Sequence, residues 1–584
     1  MESGEQFGLK VYEDPAQTAQ VWEIREGGVG HSKIPGEHAG WPSWEDAAGA
    51  PERIGDYLRD LERLCDRHGL RVAALFGHVG HGCVHSRINW DFSTDEGVRT
   101  FRRFMEDAGD LVTQKYGGSL SGEHGDGQAR AELLPKMFGE EIVGAFREFK
   151  AIWDPDNKMN PGKVSDPYPL DTNLRISPTY RTRSVKTHFK FPNDGGSFAE
   201  ATERCFGVGA CHQLGGATMC PSFMVTREEK HSTRGRARML FEMMHASQLK
   251  DGWRDESVKE SLDLCLACKG CKHDCPVRVD MASYKAEFLS HYYERRLRPV
   301  AAYALGLIYW ESRLASLTPG LANFFTQTPG FSGAGKRLVG IAPQRTMPAF
   351  AAQTFRQWFA NRPSRNGHGS RVILWPDTFT NHFEPEVGKA AVEVLEAAGC
   401  SVELPRGGPL CCGRPLYDYG MLDVAKRQLR QILNRMRPEI EACIPVAGLE
   451  PSCVAVFRDE LINLFPHDED AKRLARQTFA FSEFLIQDDY IPPALEGRAL
   501  LHGHCHQMAL FGMQNDGELL EKLGLDYESP ATGCCGLAGS FGYEAGDNYD
   551  VSVKAGERGC FCPPCGRPPK TPSSSRTASP AARR

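Results

Sequence analysis

The sequence predicts a multidomain protein that combines α+β and α/β folds. Three observations carry that expectation. The chain has 584 residues, which at ~150 residues per domain suggests roughly four domains. Its first 165 residues alternate helical apolar spacing with short apolar runs. Residues 346–555 contain two similar halves, each a short strand, a helix and a Cys-Cys-Gly triplet, which reads as an internal duplication of α/β units.

The elements follow in order. Ile54, Tyr57, Leu58, Leu61 and Leu64 recur at helical spacing, and Gly69 is placed to stop that helix. Arg71 to Phe76 then reads as a buried strand. Val98, Phe101, Met105, Ala108, Leu111 and Val112 form a second helical face that ends near Gly117–Gly118. Ile142, Val143, Phe146, Phe149 and Ile152 form a third, stopped by Asp154-Pro155. Residues 1–165 are therefore expected to be one α+β domain. Residues 166–200 are polar and rich in Pro, Ser and Thr, as a linker would be. Residues 201–295 hold seven cysteines among helical segments. Residues 296–345 are apolar and punctuated by Gly and Pro, and read as a helical linker. In 346–558, strand Arg371–Trp375 pairs with Cys411–Gly413, and strand Ala499–Leu501 with Cys534–Gly536. From residue 559 the composition turns to Pro, Ser and Arg, which cannot pack. The expectation there is a disordered tail produced by a frameshift.

Composition narrows the function classes. Hydrophobic residues make up 41% and charged residues 25%, as in ordinary globular domains. A net charge of -6 argues against a general nucleic-acid binder, which needs a basic surface to displace phosphate counterions. No apolar run reaches the ~20 residues needed to span a bilayer. The longest candidate, Pro299 to Trp310, is too short and follows Arg295, Arg296 and Arg298. The N-terminal stretch shows no basic region followed by an apolar one, so no export signal is expected. The 20 cysteines are too sparse for a disulfide scaffold and cluster in Cys-x-x-Cys, Cys-Pro and Cys-Cys-Gly contexts. That pattern favours metal ligation in a cytoplasmic protein.

Cys265-x2-Cys268-x2-Cys271-x3-Cys275-Pro276 is the strongest motif. Three thiolates two residues apart can wrap one iron–sulfur cluster, and the fourth, before proline, commonly ligates the other cluster of a pair. Zinc sites more often show two separated Cys-x-x-Cys pairs. Cys205-x5-Cys211-x8-Cys220-Pro221 supplies three more thiols. If Cys220 and Cys275 cross over, Cys265, Cys268, Cys271 and Cys220 complete one 4Fe-4S cluster. Cys205, Cys211 and Cys275 are then one ligand short of a second. A three-iron cluster, a non-cysteine ligand and no second cluster all remain open. The charged run 226–238 reads as a solvated helix face, the sharper alternative being that Arg234, Arg236 and Arg238 lie over an anionic cluster and tune its potential.

A second constellation lies near the N-terminus. Gly77-His78-Val79-Gly80-His81-Gly82-Cys83-Val84-His85 directly follows a predicted strand, and its glycines allow a tight turn close to a ligand. His78 and His85 can converge on one metal or substrate. Gly117 to Gly127 places Glu123-His124 in a second glycine-rich loop, an acid/base or ligand pair. His31 and His38 read as structural.

The segments VWEIREGGVG, FGHVGHGCVH, GGSLSGEHGDG and WDPDNKMNPGK resemble the C-terminal domain of FAD-linked oxidases, the D-lactate and D-2-hydroxyglutarate dehydrogenases. The later segments resemble the ferredoxin and CCG domains of glycolate oxidase iron–sulfur subunits and heterodisulfide reductases. The whole order, over nearly all of residues 1–558, resembles the large fused bacterial FAD/iron–sulfur D-2-hydroxyacid dehydrogenases. The resemblance implies a substrate domain over 1–165, a helical ferredoxin-like domain over 201–295 and a tandem CCG domain over 346–558. It implies that His78, His85 and Glu123 bind a divalent metal, zinc above others, which would polarise the substrate hydroxyl. His124 would be the general base, and Arg25 would fork onto the substrate carboxylate. Asn160, with Gly122 and Gly125, would lie near the flavin. The chain departs from the family at His81, where relatives carry an acid or amide, and at Arg87, where hydroxyglutarate enzymes carry Asn.

The CCG pattern also changes. In the first half Cys411, Cys412 and Cys453 are kept, but Asp377 and Glu450 stand at two cysteine positions, and a redox-inert remnant is expected. In the second half Cys505, Cys534 and Cys535 are present, and the last cysteine would come from the unshifted frame, near Ala581. No flavin fingerprint precedes residue 25. The expectation is a truncated chain, or one whose FAD-binding domain is a separate subunit, with activity alone left open. The leading reading is oxidation of a D-2-hydroxyacid, with electrons passing from FAD through 4Fe-4S to a quinone or carrier protein. A non-catalytic electron-transfer subunit and a structural zinc protein are the alternatives. Peripheral contact at the inner membrane face, through residues 296–330, is also left open, since quinones are common acceptors in chains of this kind.

Overall fold

The computed structural model of the protein describes residues 11–15, 17–18, 21–22, 40–179, 185–214, 218–245, 249–363, 369–488, 490–530 and 533–558. Arg25, His31, His38 and the tail with its expected frameshift lie outside them. The chain forms two units, 1–182 and 183–584.

In the first unit, a three-stranded antiparallel sheet has the order β1 (Ala47–Ala48), β3 (Cys83–Ile88), β2 (Val72–Phe76). The predicted helices form as α1 (Ile54–Arg67), α2 (Asp95–Asp110) and α3 (Leu134–Trp153). Tyr57, Leu61 and Leu64 of α1 meet Phe101, Phe104 and Met105 of α2 in one core with Trp44 and Trp90. Thr94 caps α2, its hydroxyl accepting from the Gly97 N–H at 3.1 Å. Two expectations change. The strand expected to be buried is an edge strand, because β3 and not β2 lies at the sheet centre, and Leu75 is exposed. The apolar stripe of α3 is turned outward: Val143 is buried, but Phe149 and Trp153 are 65% and 68% exposed.

The second unit starts within the expected linker. Phe189 and Phe191 are buried in its core, and the Glu287 carboxylate accepts from the backbone N–H groups of His188 and Phe189 at 2.9 Å. Short helices α4 (Phe198–Glu203), α5 (Pro221–Thr226), α6 (Thr233–His245), α7 (Glu256–Asp263) and α8 (Gly270–Asp274) carry the cysteine segment, and α9 (Met281–Tyr292) closes it. The expected apolar linker is four helices, α10 (Val300–Gly306), α11 (Ile308–Ala315), α12 (Pro319–Gln327) and α13 (Phe331–Val339).

A four-stranded parallel sheet follows, in the order β5 (Ser401–Glu403), β4 (Arg371–Trp375), β6 (Val446–Gly448), β7 (Thr478–Ala480). Its register pairs Ile373 with Val446 and Val446 with Thr478. The second half is smaller: β8 (Arg498–Leu500) pairs in parallel with β9 (Asp526–Glu528). The two triplet glycines, Gly413 and Gly536, both take left-handed backbone, with φ of 87° and 80°. A Cβ on Gly536 would sit 1.9 Å from the Ser552 carbonyl oxygen. That shared turn is the clearest trace of duplication.

A buried charge cluster joins the cysteine segment to the first half of the duplication. The wholly buried Lys269 ammonium lies 2.6 Å from Asp459, 3.1 Å from Glu460 and 3.3 Å from Asp280. Lys272 reaches Asp280 at 2.9 Å and Asp459 at 2.5 Å. Arg414 pairs with Glu460 at 2.5 Å and Asp418 at 3.1 Å.

Candidate functional site

The histidine site is assembled from three segments held together by backbone pairing. Ala47 and Ala48 of β1 pair with Val84 and Cys83 of β3, which sets Glu45 and Asp46 beside His85. The Ala48 and Ser119 backbones exchange bonds of 3.0 and 2.7 Å, and the Gly122 N–H donates to the Asp46 carbonyl at 2.6 Å. The loop carrying Glu123 and His124 is thereby zipped along β1. Gly82 makes the β2–β3 turn possible: its φ is +78°, and a Cβ there would sit 1.9 Å from the Gly49 carbonyl oxygen.

Asp46 is the anchor of this loop. It is fully buried and accepts from the Glu123 N–H at 3.1 Å, the His124 N–H at 2.7 Å and the Ser121 hydroxyl. Burial pushes its carboxyl up, but these three hydrogen bonds outweigh burial and hold it below the usual carboxylate range. Cys83 lies 3.5 Å away, and burial pushes its thiol up to about 12.

The imidazoles are oriented from behind. His85 Nδ1 lies 2.9 Å from the Glu45 carbonyl oxygen, which leaves Nε2 facing Glu123 Oε1 at 2.8 Å. His124 Nδ1 lies 2.9 Å from Glu45 Oε1, so its Nε2 also faces the site, 3.5 Å from Glu123. The His85 and His124 rings stack at 4.6 Å. Glu45 is itself held by Arg87 at 3.5 Å and by the buried Arg130 at 3.7 Å. Donor atoms of Asp46, His85, Glu123 and His124 all lie within 4.8 Å of one another. His78 stands one step out, its Nε2 3.7 Å from Glu123. Two imidazoles, each fixed through its Nδ1, a buried Asp46 and the more exposed Glu123 suit a divalent cation.

The remaining expected residues separate. Gly122 packs tightly, since a Cβ there would meet the Cys83 sulfur at 2.8 Å, so its smallness serves the loop itself. Gly125 has φ +82° with open space beside it. Asn160 is exposed in a turn with φ 49°. Glu45, Asp46 and Arg130 escaped sequence reasoning. The signal available for Glu45 and Asp46 was an acidic pair directly before a short strand, which gains meaning only from the β1–β3 pairing.

The second unit gathers sulfur. Ala267 and Lys269, with φ of 54° and 59°, coil the backbone between Cys265 and Cys271. Gly270 lets residue 218 approach to 3.0 Å from where a Cβ would be. Asp274 ties the two cysteine motifs together, accepting from the Thr218 and Met219 N–H groups at 3.1 and 3.0 Å. Cys265, Cys268, Cys271, Cys211 and Cys220 are buried, and Cys205 and Cys275 are half-buried. Cys271 feels the charge of Cys268 and Cys265, Cys220 lies within hydrogen-bonding reach of Cys211 and also feels the charge of Cys271, and Cys275 feels that of Cys211. Cys220 sulfur accepts from the Thr233 N–H at 2.9 Å, and Cys211 sulfur from the Arg234 N–H at 3.4 Å. Burial pushes the Cys268 and Cys271 thiols up, so thiolates there need a cation beside them. Buried, N–H-bonded cysteines of this kind fit iron–sulfur ligation.

Arg236 leaves the solvated face and stands near a cysteine instead, as the alternative reading of this run has it. It is buried, donating to the Ser261 carbonyl and the Ser222 hydroxyl at 2.8 Å, and its charge acts on Cys220. Arg234 pairs with Glu229 at 2.8 Å beside Cys211, and Arg238 alone stays on the exposed face.

The duplicated triplets lie close by. Cys412 and Cys453 sulfurs are 3.1 Å apart. Burial first, then the Glu450 carboxylate, pushes Asp377 up to about 6. In the second half, donor atoms of His504, Cys505 and His506 fall within 4.8 Å of one another. Cys268 packs in one cluster with Cys534 and Cys505, and His506 Nε2 lies 3.1 Å from the Ala267 carbonyl. Nothing in the spacing of the cysteines foretold that Cys268 would adjoin the second triplet.

Three family profiles match the chain. Residues 2–164 match the C-terminal domain of FAD-linked oxidases, 201–279 a 4Fe-4S dicluster domain, and 378–458 a cysteine-rich domain. Over 93% of its length the chain is 26% identical to a D-2-hydroxyglutarate dehydrogenase of Pantoea ananatis, and over 94% it is 26% identical to that of Escherichia coli. It spans 57% and 58% of those two relatives. Over 29% of the chain it is 32% identical to lactate utilization protein A of Bacillus subtilis, covering 74% of that protein.

Proposed function

Because the chain belongs to the FAD-linked oxidases that carry 4Fe-4S and cysteine-rich domains, we propose that it is the substrate-binding and electron-conducting part of a D-2-hydroxyacid dehydrogenase. The observation that carries this reading is the convergence of Asp46, His85, Glu123 and His124 in a chain that also gathers buried, N–H-bonded cysteines. Residues 1–165 act as the substrate domain, 201–295 as the 4Fe-4S domain and 346–558 as the tandem cysteine-rich domain.

His78, His85 and Glu123, with Asp46 beside them, are the residues to hold a divalent metal such as zinc. When bound, the metal would polarise the substrate hydroxyl, FAD would accept the hydride, and the clusters would carry single electrons. His124 Nε2 takes the hydroxyl proton, while Glu45 at Nδ1 fixes the ring and stabilises the charge it gains. Arg25 is assigned to the substrate carboxylate, and Asn160 and Gly125 to the flavin side. Cys265, Cys268, Cys271 and Cys220 form one cluster site. Cys205, Cys211 and Cys275 form a second.

The outward face of α3, with Phe138, Ile142, Phe149 and Trp153, supports docking of an FAD-binding body on this unit. The same face suits the alternative, in which unit one only docks a flavoprotein and the chain is an electron-transfer subunit. A quinone acceptor would bring the chain to the inner membrane face; a carrier protein would not.

The test is anaerobic purification with iron, sulfide, zinc and flavin analysis, followed by turnover of D-2-hydroxyglutarate and D-lactate with an added FAD-binding domain. Turnover that His124→Ala abolishes while iron is retained supports the dehydrogenase. Turnover untouched by His124→Ala leaves the electron-transfer subunit. Zinc without iron or sulfide sinks both.

A further inference from the structure

The four helices α10–α13 carry an unusual surface. Neither α12 nor α13 has a single buried residue. Phe324, Phe325 and Phe331 pack edge to face or tilted against one another at centroid distances of 5.4 to 5.8 Å, yet each remains about half exposed. Leu314, Leu317 and Leu338 are 69%, 77% and 80% exposed, and Leu297 and Leu321 are exposed as well. Isolated exposed leucines are ordinary, but an aromatic knot ringed by leucines is the kind of patch that marks an interaction surface.

The hairpin is nevertheless firmly built. Asn323 exchanges hydrogen bonds of 2.7 and 2.8 Å with the Phe350 backbone, and Lys336 Nζ donates to the Arg345 and Pro343 carbonyls at 2.7 and 3.0 Å. Tyr309 hydroxyl donates to the Pro409 carbonyl at 2.8 Å. The exposed side chains are thus presented on a fixed frame.

Charge identifies the occupant. Between residues 294 and 345 the exposed basic side chains are Arg295, Arg296, Arg313 and Arg337, against the two acids Glu294 and Glu311, while Arg298, Lys336 and Arg345 are half-buried and donate to backbone carbonyls; the surface is net positive in a chain whose net charge is -6. Exposed arginines stand directly before exposed leucines three times: Arg296-Leu297, Arg313-Leu314 and Arg337-Leu338. A protein partner with an apolar patch would not need this positive excess. An anionic bilayer needs both, since aromatic and leucine side chains enter the headgroup boundary while arginines stay at the phosphates. No helix among the described residues is long and apolar enough to cross a membrane, so the helices would lie in the interface.

We propose that α10–α13 form a docking surface for anionic phospholipid bilayers. The proposal stands apart from the dehydrogenase reading, because it is read without turnover.

The full chain, purified anaerobically with its iron, is sedimented with vesicles of phosphatidylglycerol mixed with phosphatidylcholine and with vesicles of phosphatidylcholine alone. Binding is expected to the first, weaker to the second, and weakened by added salt. Phe324→Ser with Phe325→Ser should lower partitioning by about tenfold or more, and Arg313→Glu with Arg337→Glu should remove the preference for phosphatidylglycerol. Unchanged iron–sulfur absorbance shows that each variant has folded, and Phe324→Leu, which keeps the apolar surface, should bind as the parent does. No binding to phosphatidylglycerol vesicles, or binding that both double variants leave intact, overturns the proposal. So does a dimer that the Phe324→Ser, Phe325→Ser variant dissolves, because the patch would then be covered by a second copy.

Discussion

Glu45 acts on the site twice, through its backbone carbonyl at His85 and through its side chain at His124. Its 2.9 Å contact with His124 Nδ1 fixes which ring nitrogen faces the substrate. Glu45→Gln keeps the size and loses the charge, so kcat should fall about tenfold to a hundredfold while KM changes little. Steady-state kinetics of the chain with its FAD-binding domain would check this; a drop in KM-dependent binding alone would contradict it. His382 supplies a pH dependence of stability instead. It is buried, with Nδ1 2.7 Å from the Ser316 hydroxyl, and burial, then the charge of Arg313, pushes it down to about 4. The unfolded chain protonates this ring near 6.5 and the folded chain does not, so stability is present above that value and is lost as pH falls towards 4. The loss should reach roughly 3 kcal/mol, and thermal unfolding of His382→Gln should show a shallower decline over the same window. The sequence made His85, Glu123 and His124 legible because glycine-rich turns flag close approach. Glu45 and Asp46 were not, since their role exists only once β1 lies beside β3.

At the scale of elements, the β2–β3 turn depends on Gly82. Its left-handed φ and the Gly49 carbonyl that a Cβ would strike leave no room for another residue. Gly82→Ala should destabilise the first unit by about 2 kcal/mol or more and weaken divalent-metal binding with it, measured by denaturant unfolding and by metal titration. Helical spacing located α1 and α2 closely, since both bury a stripe against one core. The same spacing in α3 misled, because periodicity reveals an apolar stripe but not whether the chain itself covers it. The segment 185–200 looked like a linker by composition, yet Phe189 and Phe191 lock it into the second unit. Two aromatics decide the packing there, and an average over many polar residues hides them. The parallel strands β4 and β8 were legible because a short apolar run before a polar helix start is distinctive in both halves.

For the whole molecule, the number of clusters follows from which cysteines meet. If Cys205, Cys211 and Cys275 hold a cluster as well as the Cys265 set, the chain should carry about eight irons, falling to about four in Cys205→Ser. Iron and sulfide assays on anaerobic protein decide it, and a parent value near four would leave the Cys205 set without a cluster. Motif spacing exposed the Cys265 set on its own. It could not expose the neighbourhood of Cys268 with Cys505 and Cys534, which are far along the chain and meet only through the packing of α8.

The buried charges around Lys269 have a bearing on ancestry. Lys269 and Lys272 arise in one segment, and Asp459, Glu460 and Arg414 in another. A recombination event between residues 295 and 346 would leave two buried ammonium groups sharing Asp280 alone in one product, and in the other Asp459 without the Lys269 and Lys272 that face it. The cysteine segment and the first of the duplicated halves are therefore expected to travel through genomes as a single heritable block.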